Sequence, residues 1–139
     1  MIAVNLNELE LNEFVGVEEK RQHCKATFPL LGAHGTKDLA AVYFEIEAGD
    51  MLGRHVDSAE ELLIILNGEA EVEVGGETTL AIKGEVVLVP REVPHNVNNI
   101  GKETLKVLGV FGGASNIVAT FDQDFLPLNS NVVDTSQMG

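Results

Sequence analysis

From Asp38 to Phe121 the chain is built of short alternating or continuous apolar segments broken by glycine. Val42, Phe44, Ile46 and Ala48 are separated by Tyr43, Glu45 and Glu47, a period of two that predicts a half-buried strand ending at Gly49-Asp50. Tyr43 shares the Glu45/Glu47 face, so it is expected at the surface or at a dimer interface. Leu62–Leu66 is a continuous apolar run, and Asn67-Gly68 after it is a hairpin-type dipeptide. Ala70, Val72 and Val74 then alternate with Glu69, Glu71 and Glu73, which read as a solvated strand face rather than an acidic site. Gly75-Gly76 predicts a tight turn. Thr78–Ile82, Val86–Val89 into Pro90, Leu105–Phe111 and Ile117–Phe121 complete the series.

The flanks are less regular. Residues 1–24 place Leu6, Leu9, Leu11 and Phe14 among Asn and Glu without a helical period, which predicts an arm with short extended pieces. Lys25–Leu31 reads as a strand ended by Gly32 and a turn at 33–35. Pro127–Gly139 is polar, and is expected either to lie extended on a partner subunit or to fray. Gly109, Gly112 and Gly113 have no phosphate-loop spacing and no following helix, so they read as bends in a barrel strand. Short strands with glycine-bearing turns predict an all-β sandwich or closed barrel.

Composition narrows what such a barrel does. The 139 residues fit one domain, and 45% hydrophobic content is enough for a core. The net charge of −13 repels phosphate backbones and anionic lipid, so no nucleic-acid or membrane partner is expected. Cys24 is the single cysteine and reads as a small, partly buried side chain in a reducing compartment. The N-terminus lacks the basic and apolar regions of a signal peptide, and no apolar run is long enough for a membrane helix. A cytoplasmic location is expected.

Two stretches carry chemistry. In a strand, residues two apart share a face, so His55 and Asp57 project together. If Glu61 faces inward, Leu63 and Ile65 do too. Pro94 presets the turn before His95, and closing the sheet brings His95 opposite His55. Two imidazoles and a carboxylate at a barrel mouth suit a divalent transition metal, as iron(II) with open positions or zinc with water. A second carboxylate, Asp57, shifts the preference toward harder ions such as manganese. His23 and His34 match no ligand spacing. Arg54 and Arg91 flank the two stretches and by parity point away from the histidines, toward structural ion pairs.

The same stretches resemble the two motifs of the cupin superfamily. The first family motif runs Gly, five residues, His-x-His, three or four residues, Glu, six residues, Gly; Gly49, His55, Glu61 and Gly68 stand at those intervals. The second runs Gly, five residues, Pro-x-Gly, two residues, His, three residues, Asn; Gly84, Pro90, His95 and Asn99 match. The 15 residues between Gly68 and Gly84 match the short spacer of small single-domain cupins. Two positions depart: Asp57 stands where the family usually has its second His, and Glu92 where it usually has Gly. Glu92 is expected to alter only a turn.

The resemblance implies a double-stranded β-helix, a jelly-roll barrel with its core at about 38–121, an N-terminal arm at 1–24 and an extended tail at 122–139, all in one domain. It implies a metal (Fe, Mn, Zn or Ni) held by His55, Glu61 and His95. Asp57 is then a fourth ligand, a general base beside substrate, or the mark of a site that has lost its metal. It also implies a homodimer. The favoured expectation is a dioxygenase-like enzyme acting on a small organic substrate, with Asp57 or Glu61 accepting a proton. A redox-neutral isomerase, lyase or decarboxylase is the second expectation, and a non-catalytic ligand-binding protein the third.

Overall fold

The computed structural model describes residues 1–137, and these form an all-β barrel. Its strands are β1 (Asn12–Gly16), β2 (His23–Leu30), β3 (Leu39–Ile46), β4 (His55–Asp57), β5 (Glu61–Asn67) and β6 (Glu69–Val74). They continue as β7 (Glu77–Ile82), β8 (Val86–Val89), β9 (His95–Asn99), β10 (Leu105–Gly112), β11 (Val118–Leu126) and β12 (Ser130–Asp134). One sheet runs β7-β6-β9-β4-β11-β1-β2-β3-β10-β5-β8, with β12 on β11. Every strand pairing in it is antiparallel. The two ends of the order, β7 and β8, are consecutive in the chain, so the sheet rolls up into a nearly closed jelly roll. Among the described residues there is no α-helix, only two short 3-10 turns, and no helix is long and apolar enough to cross a membrane.

The alternation read along the sequence decides what faces inward. In β3, Ala40, Val42, Phe44 and Ile46 enter the core; in β5, Leu63 and Ile65; in β6, Ala70 and Val72. Burying an aliphatic or Phe side chain of this kind contributes about 1.5–3 kcal/mol, so the even spacing is what holds the barrel in register. Gly75-Gly76 does close a hairpin, with Val74 opposite Glu77.

Three expectations are corrected. Asn67-Gly68 joins no hairpin: β5 pairs with β10 and β8, whereas β6 pairs with β7 and β9. Gly68 (φ 90°) instead carries the chain from one part of the sheet to another, passing so close to the Leu105 backbone that a Cβ would lie 3.1 Å from its Cα. Tyr43 is buried, with its hydroxyl donating to Glu45 Oε2 at 2.6 Å. In the N-terminal region, expected as an arm with short extended pieces, the extended piece β1 is hydrogen-bonded between β2 and β11. The polar tail does not fray over its described part: β12 pairs with β11, and the Thr135 hydroxyl accepts from Ile117 N–H at 2.9 Å. Met138 and Gly139, also in that tail, lie outside the described residues.

Candidate metal centre

Local chain geometry delivers four polar side chains to one end of the interior. β4 places His55 and Asp57 on the same face, and β9 enters so that His55 and His95 are direct antiparallel partners. β5 opens with Glu61 facing inward. All four are buried, at 5%, 3%, 3% and 1% exposure for His55, Asp57, Glu61 and His95. The turn before β9 is held by Glu92, whose N–H donates to Asp57 O at 2.9 Å. Glu92 has φ 62°, a left-handed conformation that favours glycine. The departure at this position therefore keeps the turn and adds some backbone strain.

The imidazoles are oriented alike. His55 Nδ1 lies 2.7 Å from Gly53 O, and His95 Nδ1 lies 2.9 Å from Val93 O. A carbonyl can only accept, so each Nδ1 carries the proton and donates. Each Nε2 is thereby left free to face the interior, the arrangement by which a metal-ligating histidine is set in place. The rings lie 4.1 Å apart between centroids. Donor atoms of His55, Asp57 and His95 all fall within 4.8 Å of one another. Glu61 stands outside that group; its Oε1 is 3.6 Å from His95 Nε2.

The group has unmet demands. His95 Nε2 is 3.0 Å from Asp57 Oδ2, yet the two are not aligned as a hydrogen bond. Both Asp57 oxygens and His95 Nε2 are buried without a hydrogen-bond partner. Orphaned buried acceptors are costly, about 1–3 kcal/mol each, and buried carboxylates more so. A cation among these atoms satisfies them together, so the donor set fits a divalent metal. Electrostatics point the same way. Burial lowers the pKa of His55 to about 4, keeping its Nε2 a lone-pair donor. Burial acts against a charged His95 as well, but Asp57 and Glu61 outweigh it and raise that pKa to about 10, which marks the spot as attractive to positive charge. Burial lifts Glu61 to about 7, so this carboxyl holds its proton more tightly than a solvated one.

The other sequence candidates lie elsewhere. Arg54 is near Glu73 (3.6 Å) and Asp122 (3.8 Å) on the surface. Arg91 is exposed in a surface groove with Ser58 and Glu60. His34 accepts from Leu31 N–H in a 3-10 turn. His23 bridges Glu13 and Asp50. Cys24 is buried, its pKa pushed to about 12 by burial. Two contributors were not legible. Gly109 is no bend: β10 runs through it in register, and a Cβ there would collide with the Glu61 carboxylate. Phe121, opposite His55 in β11, stacks on that imidazole at 4.3 Å and 18°. Both need the strand pairing, which residue spacing alone does not supply.

His55, Asp57 and Glu61 form the polar part of an otherwise apolar cavity of about 70 Å³. A family model described as a cupin domain matches residues 42–111, half of the chain. An uncharacterized protein of Streptomyces coelicolor is 32% identical over 75 residues, which span 54% of this chain and 70% of that protein. A variant of oxalate decarboxylase from Bacillus subtilis superposes with a TM-score of 0.71 at 25% identity, covering 84% of this chain but 31% of that one. A putative sugar phosphate isomerase from Acidithiobacillus ferrooxidans shares the fold at 18% identity, with a TM-score of 0.67 over 100% of this chain and 94% of its own. With its barrel, its two motifs and this match over half its length, the chain belongs to the cupin family.

Proposed function

We propose that this protein is a divalent-metal-dependent enzyme, dioxygenase-like, acting on a small organic substrate inside the barrel. The observation that carries the reading is the convergence of His55, Asp57 and His95 donor atoms within 4.8 Å, with unpartnered oxygens and nitrogen. Two imidazoles and one carboxylate on one side leave coordination positions open, the pattern associated with non-haem iron(II) oxygenases. When bound, such an ion supplies Lewis acidity and, if redox-active, electrons for dioxygen chemistry. His55 and His95 hold it through Nε2. Asp57 takes the position of the family's second histidine and is the third ligand. Glu61 lies just outside this set and lines the cavity, where it donates or accepts a proton at its carboxyl oxygens. The apolar walls exclude water from the reacting end.

A redox-neutral reading has one specific support: Glu61 is an inward carboxyl not needed to complete the donor group. An acid–base group beside a Lewis-acidic ion is what an isomerase or decarboxylase requires, and the likeness to oxalate decarboxylase agrees with that. Elemental analysis and oxygen consumption separate the readings. Near one transition metal per chain, with dioxygen consumed on phenols or enols, supports the first. Turnover that survives without air and with zinc in place of iron moves the assignment to the second. Metal-free protein after purification from metal-replete medium overturns both. A homodimer belongs to the same proposal. Leu62, Val86 and Leu88 on the outer side of β5 and β8 are 42%, 59% and 57% exposed, which supports pairing of two copies there. Light scattering of the purified chain tests it.

A further inference from the structure

The chain has six phenylalanines, and all six line the cavity that His55 and Asp57 of the candidate metal centre also line. Phe44, Phe111, Phe121 and Phe125 are buried in its walls; Phe14 and Phe28 are partly exposed. They come from six positions on β1, β2, β3, β10 and β11, so no local sequence run accounts for the convergence. Ring faces connect the polar end to the rim. His55 stacks on Phe121 at 4.3 Å, Phe121 meets Phe125 edge-to-face at 4.8 Å, and Phe125 meets Phe14 at 6.2 Å.

What the cavity lacks is equally specific. Of the chain's nine lysines and arginines, none lines it. Apart from the buried thiol of Cys24, its polar side chains are His55, Asp57 and Glu61, two of them carboxylates. Beyond the metal itself, a carboxylate or phosphate ligand would find no lysine or arginine on the walls, and a polyol would find few hydrogen-bond partners. A flat, uncharged ring would find aromatic faces in edge-to-face and stacked geometry. Resting on the proposed metal-dependent activity, we infer that the substrate class is a small neutral aromatic or enolic molecule. Its single oxygen-bearing end points toward His55 and Asp57. The cavity's 70 Å³ is about half the roughly 150 Å³ known to take up benzene, so a six-membered ring enters by turning a rim side chain outward. Phe14, Phe28, Leu52 and Val133, the partly exposed members of the lining, mark that rim.

The test is calorimetric titration of the protein as purified, at neutral pH, with phenol, benzoate and oxalate as probes, alongside metal analysis of the same sample. Phenol is expected to bind, with benzoate and oxalate weaker by about tenfold or more, because beyond the metal itself the walls offer an anion two carboxylates and no lysine or arginine. Ala26→Leu, which grows into the cavity from β2, is expected to weaken phenol about tenfold. Benzoate or oxalate binding tighter than phenol overturns the assignment, as does phenol binding unchanged in folded Ala26→Leu protein. The wild-type comparison stands without that variant. Metal present with oxalate preferred sinks the substrate class and leaves the metal reading intact. Phenol bound by metal-free protein does the reverse.

Discussion

Among the described residues, histidine meets two carboxylates in two places, and they behave differently. At a partly exposed position, His23 lies between Glu13 and Asp50, with Nε2 2.8 Å from one and Nδ1 3.1 Å from the other. Both ring nitrogens are used, and the carboxylates stand on opposite sides of the imidazole. In the interior, His55 and His95 each spend Nδ1 on a backbone carbonyl, so their Nε2 atoms turn inward beside Asp57. Residue types are the same in both places. The interior group can hold a cation because its donor atoms converge and stay unsatisfied; the outer one is complete as a salt bridge.

The largest effect expected from this contrast is on metal content. His95→Ala removes an inward Nε2 and is expected to lower metal affinity by about 100-fold or more, beyond what loss of a supporting hydrogen bond costs. Asp57→Ala is expected to do the same, since it removes the third proposed ligand. His23→Ala should leave metal content unchanged. Chelator competition on the three variants reads all of these. Equal metal loss from His23→Ala and His95→Ala would remove the distinction between the two clusters.

Much of the fold was legible because alternation with period two reports directly on which side chains enter a barrel, as in Val42, Phe44 and Ile46. The placement of His55 opposite His95 also followed from strand parity and closure. What spacing cannot carry is pairing between distant strands. Asn67-Gly68 has the local chemistry of a hairpin, yet tertiary pairing sends β5 and β6 to different neighbours. Gly109 looked like a bend because the side chain that fills the space beside it, Glu61, lies 48 positions earlier in the chain. The phenylalanines look unremarkable one at a time and converge only when the sheet rolls up.

Gly109 gives the second prediction, intermediate in size. Gly109→Ala forces a methyl group into the Glu61 carboxylate, and overpacking of this kind costs about 1–3 kcal/mol. A lowered melting temperature should come with weakened metal binding, because Glu61 must move against His95. Gly112→Ala, three residues on in the same strand, meets nothing closer than 3.8 Å and is expected to be nearly neutral. If the two substitutions cost the same, Glu61 does not depend on the space that Gly109 leaves.

The smallest effect separates the clusters by pH. Hydrogen bonding to Glu13 raises the pKa of His23; partial burial opposes this, and Asp50 adds to the rise. The folded value thus lies above the unfolded one, about 6.5. The stability His23 supplies is fully present below about pH 6.5 and is lost as pH rises through the folded value, when the imidazolium gives up its proton. With the side chain 30% exposed, solvent screening holds this to about 0.5 kcal/mol or less. His55 runs the opposite way: its folded pKa near 4 means that acid favours the unfolded chain, which takes up the proton first. Denaturant unfolding of wild type and His23→Ala, with chelator present, should show a gap that shrinks from about pH 5.5 to about pH 8.5 and shrinks further with salt. A gap that widens over the same range means that His23 is held neutral, as His55 is, and that the outer cluster is no ion pair.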